Sequence, residues 1–244
     1  MATSLSNYWR ITRAPRYSLT FALPLLVAYE VLAFSLSHNE VTGVRNGADV
    51  LLKSVFLALG GRNGLVAFGA LLVGGGAWLV WQDYLRAGSL DFRVFGPMAV
   101  ESVSYAFAFG MVTSTLTGLL LPGLAITLSL GSAGSWNLPT QLMISLGAGI
   151  YEELLFRVIL VSGLAWAARR LLGWSATASG VFAVVVGALI FSAFHYIGPY
   201  GDRWELGSFT FRAVAGVLFS GLYLLRGFGI TAWTHALYDV FLAV

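Results

Sequence analysis

Apolar residues fill this chain in runs of about twenty, and polar residues gather between the runs instead of alternating with them. A run of that length crosses a bilayer as a single helix. The first, Ser18 to Leu36, follows a polar segment from Met1 to Tyr17 that carries Arg10, Arg13 and Arg16 and no acid. It is too long for a signal-peptide core and lacks a convincing small-residue cleavage site, so it reads as a retained helix. Gly64 to Trp81 predicts a second, in which Gly74, Gly75 and Gly76 allow close backbone approach. Val94 to Leu121, Thr140 to Ala168, Ala176 to Tyr196, Ser208 to Leu225 and Gly229 to Val244 predict five more. Residues 37 to 63 place six ionisable side chains around VLLKSVFLALG, and read as an amphipathic helix at the outer surface or dipping partway in. Residues 124 to 139 read as an outer loop or a short re-entrant element. The fold class is therefore all-α: a polytopic membrane bundle of about 7–8 transmembrane helices, with the uncertain eighth near residues 46 to 60 or 123 to 130. No internal repeat or soluble domain breaks it, so residues 1–244 read as a single membrane domain.

Composition agrees with this pattern. Only 10% of residues are charged against 58% hydrophobic, far below the roughly 25% charged of a soluble domain. Cysteine is absent, which excludes disulfides, thiolate metal sites and cysteine nucleophiles. The net charge of +3 does not point to nucleic acid, because the basic residues are scattered over helix-flanking segments. Arg10, Arg13, Arg16, Arg86, Arg93, Arg169, Arg170 and Arg226 fall on one side, and Arg45, Lys53, Arg62 and Arg203 on the other. Eight against four favours a cytoplasmic N-terminus.

Ionisable residues inside apolar runs are costly unless paired or facing a cavity, so they mark where to look for function. The run from Thr140 holds Glu152, Glu153 and Arg157. Glu153 and Arg157 are four apart and pair on one helical face, while Glu152 lies about 100° around and is free to face something else. Phe191 and His195 share a face of the fifth span, as do His235 and Asp239 in the last. Each has a plain structural alternative: a buried Glu153–Arg157 pair, an interfacial His195, a His235–Asp239 contact between helices, and ordinary packing for Phe191. Glu30 reads as interfacial or packing. Glu101 and Arg212 either pair or reach an interface. Together, however, three helices each supply a group able to carry or orient a proton. A carboxylate withdrawn from bulk water is a stronger base, a neighbouring imidazole can orient the water, and a second can stabilise an oxyanion. His195 falls near the outer end of its span and the other two near mid-span. A shared site thus requires a shifted boundary, tilted helices or a cavity reaching that surface.

Glu152-Glu153-xxx-Arg157, Phe191-xxx-His195 and His235-xxx-Asp239 resemble, in order and separation, the three motifs of the CAAX prenyl protease and bacteriocin-processing family, also called Abi or CPBP intramembrane proteases. The resemblance covers residues 140 to 244. It implies a helical membrane core in a prokaryotic plasma membrane, a glutamate-dependent endopeptidase site, and a membrane-associated peptide or protein substrate, lipidated in some members. Carried over, Glu152 activates water with His195, His235 and the residue at 239 bind the oxyanion, and Glu153, Arg157 and Phe191 support the site. Position 239 departs from the pattern. Eukaryotic members resemble HxxxN there, and an ionised Asp239 cannot donate to an oxyanion. It is protonated, orients His235, or has no oxyanion role.

No cofactor is expected. Zinc is the runner-up, because two histidines and several carboxylates are available, but no HExxH helix sets a compact tetrahedral site. The non-enzymatic alternative is a membrane scaffold or immunity-type protein of the same fold.

Overall fold

The structure, a computed structural model, describes residues 5–36, 44–122, 137–198 and 201–243, and every regular element in them is helical. A short helix α1 (Leu5–Thr12) leads into α2 (Pro15–Leu36), α3 (Gly47–Ala87) and α4 (Phe95–Leu120). Next, α5 (Leu138–Gly147), a π-helical segment (Ala148–Val161) and α6 (Ser162–Leu171) run on without a break. Helices α7 (Ala176–Phe194), α8 (Leu206–Arg226) and α9 (Phe228–Ala243) complete the bundle. Starts follow local chemistry: the side chains of Asn137 and Ser175 accept the Thr140 and Ala178 backbone N–H groups and so cap α5 and α7.

Five helices among the described residues are long and apolar enough to cross a membrane: Pro15–Leu36, Gly47–Ala87, Phe92–Leu120, Ala176–Phe194 and Leu206–Arg226. This all-α, multi-helix membrane architecture has fewer such spans than the 7–8 expected. The shortfall has a local origin. The central apolar run is divided into pieces of 10, 14 and 10 residues by its change of helical pitch, and α9 has 16 residues.

The N-terminal half meets expectation in one place and departs from it in another. The stretch from Gly47 to Gly60 is a helix of its own ahead of the expected Gly64–Trp81 span, because α3 is two helices joined across a kink at Gly61 (φ 58°, ψ −140°), a backbone conformation open to glycine and strained for other residues. Asp49, Leu52 and Lys53 face inward from that first helix. Gly74, Gly75 and Gly76 do not mediate close approach: a Cβ at any of them would meet nothing within 4 Å. This stretch lies at the rim, where Leu71, Val73 and Trp78 are exposed. Residues 123–130, the other place for an eighth span, lie outside the described residues.

Polar pairs fix the helix ends. At one end, Arg16 pairs with Asp83, joining the start of α2 to the end of α3. Beside them Arg226, 1% exposed, pairs with Glu101 and also donates to the Trp9 carbonyl and Thr12, tying α8, α4 and α1 together. At the opposite end Arg45 and Lys53 each pair with both Glu30 and Asp49. Arg212 pairs with Asp202. Glu101 and Arg212 therefore do not pair with each other, because they lie at opposite ends of the bundle. Between the ends, the largest core cluster gathers Leu25 and Tyr29 from α2, Leu52 from α3, Tyr151 from the π-helical segment and Ala232 and Ala236 from α9. Large apolar residues such as Phe34, Leu59 and Leu119 face outward. In lipid, close packing and polar pairs hold such helices together.

Candidate functional site

Of the four proposed catalytic side chains, His235 stands beside two carboxylates, Glu152 and Asp239, and shares the Phe191 ring with His195. Glu152 and Glu153 lie on the π-helical segment, which packs against α3, α7 and α9. Segments of π-helix are rare and occur frequently at functional sites. Glu152 is 8% exposed and Glu153 is fully buried. His195 and His235 both pack edge-on against the Phe191 ring, with centroids 4.9 and 6.1 Å away. His235 Nε2 stands 4.0 Å from Glu152 Oε2 and 3.8 Å from Asp239 Oδ1. Both separations are charge contacts too long for hydrogen bonds.

The two imidazoles are held differently. His195 follows the last residue of α7, and its Nδ1 lies 2.9 Å from the Phe191 carbonyl oxygen. A carbonyl only accepts, so Nδ1 carries the proton and the neutral ring keeps a lone pair on Nε2. His235 is buried in α9 and its Nδ1 lies 2.6 Å from Glu153 Oε1. That carboxylate orients the ring and turns Nε2 toward Glu152 and Asp239. The Phe219 ring stacks on His235 with centroids 4.3 Å apart, and Phe191 packs edge-on to His195 at 4.9 Å.

Arg157 is 1% exposed, and its Nη1 lies 3.3 Å from Glu153 Oε1. None of its three guanidinium nitrogens makes an aligned hydrogen bond among the described residues. Its charge is offset instead by Glu153 and by two aromatic faces, with Cζ 4.5 Å from the Phe191 centroid and 5.6 Å from that of Phe219. Phe191 thus touches both His195 and Arg157.

The site lies toward the end of the bundle where α3 begins and α7 finishes. The reason is visible in a residue the sequence reading missed: Asn46, the cap of α3, 2% exposed, donates from Nδ2 to Glu152 Oε1 at 2.8 Å. The only sequence signal was an Asn-Gly pair ahead of a helix, which marks a cap and nothing about a partner 106 positions later. Among the described residues, no group of three or more His, Cys, Asp or Glu side chains is disposed to hold a metal ion.

This arrangement defines a helical membrane protein with a buried carboxylate–imidazole cluster. Residues 134–241 match the Rce1-like family, described as type II CAAX prenyl endopeptidase Rce1-like. Over these residues the chain is homologous to that family. No curated protein and no solved structure matches the chain.

Proposed function

We propose that the protein is an intramembrane, glutamate-dependent endopeptidase that works without a metal ion. The observation that carries this reading is that two further helices bring His195 and His235 onto one ring, Phe191, with His235 Nε2 4.0 Å from buried Glu152. In the reaction, a water between Glu152 and His195 attacks the scissile carbonyl carbon. Its proton passes to Glu152, and His195 Nε2 accepts the second O–H and so aims the water. The oxyanion receives the Nε2–H of His235 in its doubly protonated form, whose Nδ1–H remains on Glu153. Glu152 then delivers its proton to the leaving amine as the C–N bond breaks. Asp239 acts on His235 by charge, Glu153 holds His235 in place, and Arg157 and Phe191 pack behind both.

The substrate in this reading is a membrane-associated peptide or protein, with or without a lipid anchor, and no nucleic acid takes part. The π-helical run with its flanking helices and α9 cross the membrane as well, which gives seven crossings with the five already described. Arg16, Arg226, Arg45 and Lys53 are buried in ion pairs and carry no topological information. Without them, the exposed Arg10, Arg13, Arg86, Arg93, Arg169 and Arg170 oppose Arg62 and Arg203, six against two. That balance supports a cytoplasmic N-terminus in a prokaryotic plasma membrane.

The test compares membranes from cells expressing the wild type with membranes from cells expressing Glu152→Gln, by mass spectrometry of new peptide termini. New termini with the wild type and their absence with a folded Glu152→Gln protein are expected. The same termini from both proteins would overturn the mechanism. None from either would favour a scaffold.

A further inference from the structure

We infer that Asn46 is a positioning residue for Glu152, assigning the two carboxylate oxygens different jobs; this rests on the reading of Glu152 as the base. The amide of Asn46 is oriented by its own helix. Its Oδ1 accepts the Ala48 N–H at 2.9 Å, as a helix cap must, so Nδ2 is the atom facing Glu152. A flipped amide would lose the cap and set an acceptor against a carboxylate. Asn46 is itself anchored, because its backbone N–H donates to the Tyr29 hydroxyl at 3.3 Å, which donates to Asp49 at 2.7 Å. Asp49 is in turn paired with Arg45 and Lys53.

The consequence falls on Glu152. Its Oε1 is engaged by Asn46 at 2.8 Å, while Oε2 lies on the side of His235, 4.0 Å from Nε2 and beyond hydrogen-bond reach. Oε1 is thus the held oxygen and Oε2 the working one, which takes the proton of the attacking water. A donor on Oε1 also fixes the carboxylate plane, which a buried side chain with a single anchoring bond needs if the water is to meet the same oxygen at every turnover. The residue lies outside the homologous segment of 134–241, so the N-terminal half supplies part of the site.

Capping and positioning separate experimentally, since Ser and Asp cap helices about as well as Asn, but the Ser hydroxyl stops one bond short of the Nδ2 position that reaches Glu152 Oε1 and an ionised Asp has no donor to offer. Asn46→Ser and Asn46→Asp are compared with the wild type in liposomes, using a synthetic peptide spanning the cleavage point found with the wild type. Thermal unfolding and detergent elution report the fold. Asn46→Ser is expected to unfold near the wild-type temperature, keep KM within about threefold and lose at least about tenfold in kcat. Asn46→Asp is expected to be slower still, as it sets a second carboxylate against the first. If Asn46→Asp does not fold, Asn46→Ser decides. Wild-type kcat in folded Asn46→Ser overturns the inference and leaves the base assignment standing, whereas activity in Glu152→Gln overturns that assignment itself.

Discussion

Gly149→Ala is the sharpest test of how the site is held. Gly149 lies one turn before Glu153 on the π-helical segment, against the stretch of α9 that carries His235. A Cβ built there stands 2.4 Å from the Ala232 carbonyl oxygen and 2.8 Å from the Ala236 Cβ. Ordinary contact lies near 3.4–4 Å, so the two helices must separate by about 1 Å. The bond between His235 Nδ1 and Glu153 Oε1, now 2.6 Å, would stretch to roughly 3.6 Å, which is no hydrogen bond. Overpacking of this kind costs about 1–3 kcal/mol, against which the better helix propensity of alanine returns up to about 1 kcal/mol. A net loss of about 0–3 kcal/mol leaves the protein folded. Activity suffers more, since a 1 Å misplacement costs on the order of a hundredfold in rate. Gly163→Ala is the matched control on the same helical run, because its Cβ would meet nothing within 4 Å. The assay is thermal unfolding in detergent together with turnover of the identified peptide. Should Gly149→Ala match Gly163→Ala in both, the account of helix contact and His235 orientation is wrong.

Two further outcomes follow from the same geometry. Arg157→Ala removes the cation from a fully buried Glu153 and should cost about 3–5 kcal/mol, seen as lower yield, a broadened elution profile and early unfolding; a wild-type melting profile would contradict the pairing. Purified protein should keep its activity after exhaustive chelation and hold no stoichiometric zinc by elemental analysis, whereas loss of activity that zinc alone restores would replace the metal-free mechanism.

The C-terminal half was legible because its chemistry is local. Glu153 with Arg157 and His235 with Asp239 are neighbours on their own helices, and i, i+4 spacing predicts each contact without tertiary knowledge. What spacing could not show is the contact between His235 and Glu153, which joins two helices across 82 positions and turns a supporting residue into the group that orients an imidazole. The π-helical pitch was equally hidden, since the sequence periodicity of an apolar run does not distinguish 3.6 residues per turn from more. In the N-terminal half, charge misled the reading. Arg45 and Lys53 look like loop cations by composition, yet both are buried in ion pairs, with Asp49 four residues away and with Glu30 from α2; Arg226, near the C-terminal end of α8, is buried likewise against Glu101 from α4.

Those ion pairs explain why helices outside the homologous segment bear on its chemistry. Glu30 on α2 accepts from the Tyr151 hydroxyl, one residue before Glu152. Asp49 on α3 holds Tyr29, which packs edge-on against Tyr151 with centroids 5.2 Å apart. The backbone on one side of Glu152 is therefore clamped by α2 and α3, while His235, held by Glu153, fixes the other. Removing Asp49 would release Tyr29, and with it both a support of Tyr151 and the anchor of Asn46. Two positional restraints on Glu152 thus pass through one fully buried carboxylate that never touches it. Within this mechanism, damage at Asp49 would read out as loss of catalysis even though the motif residues are intact.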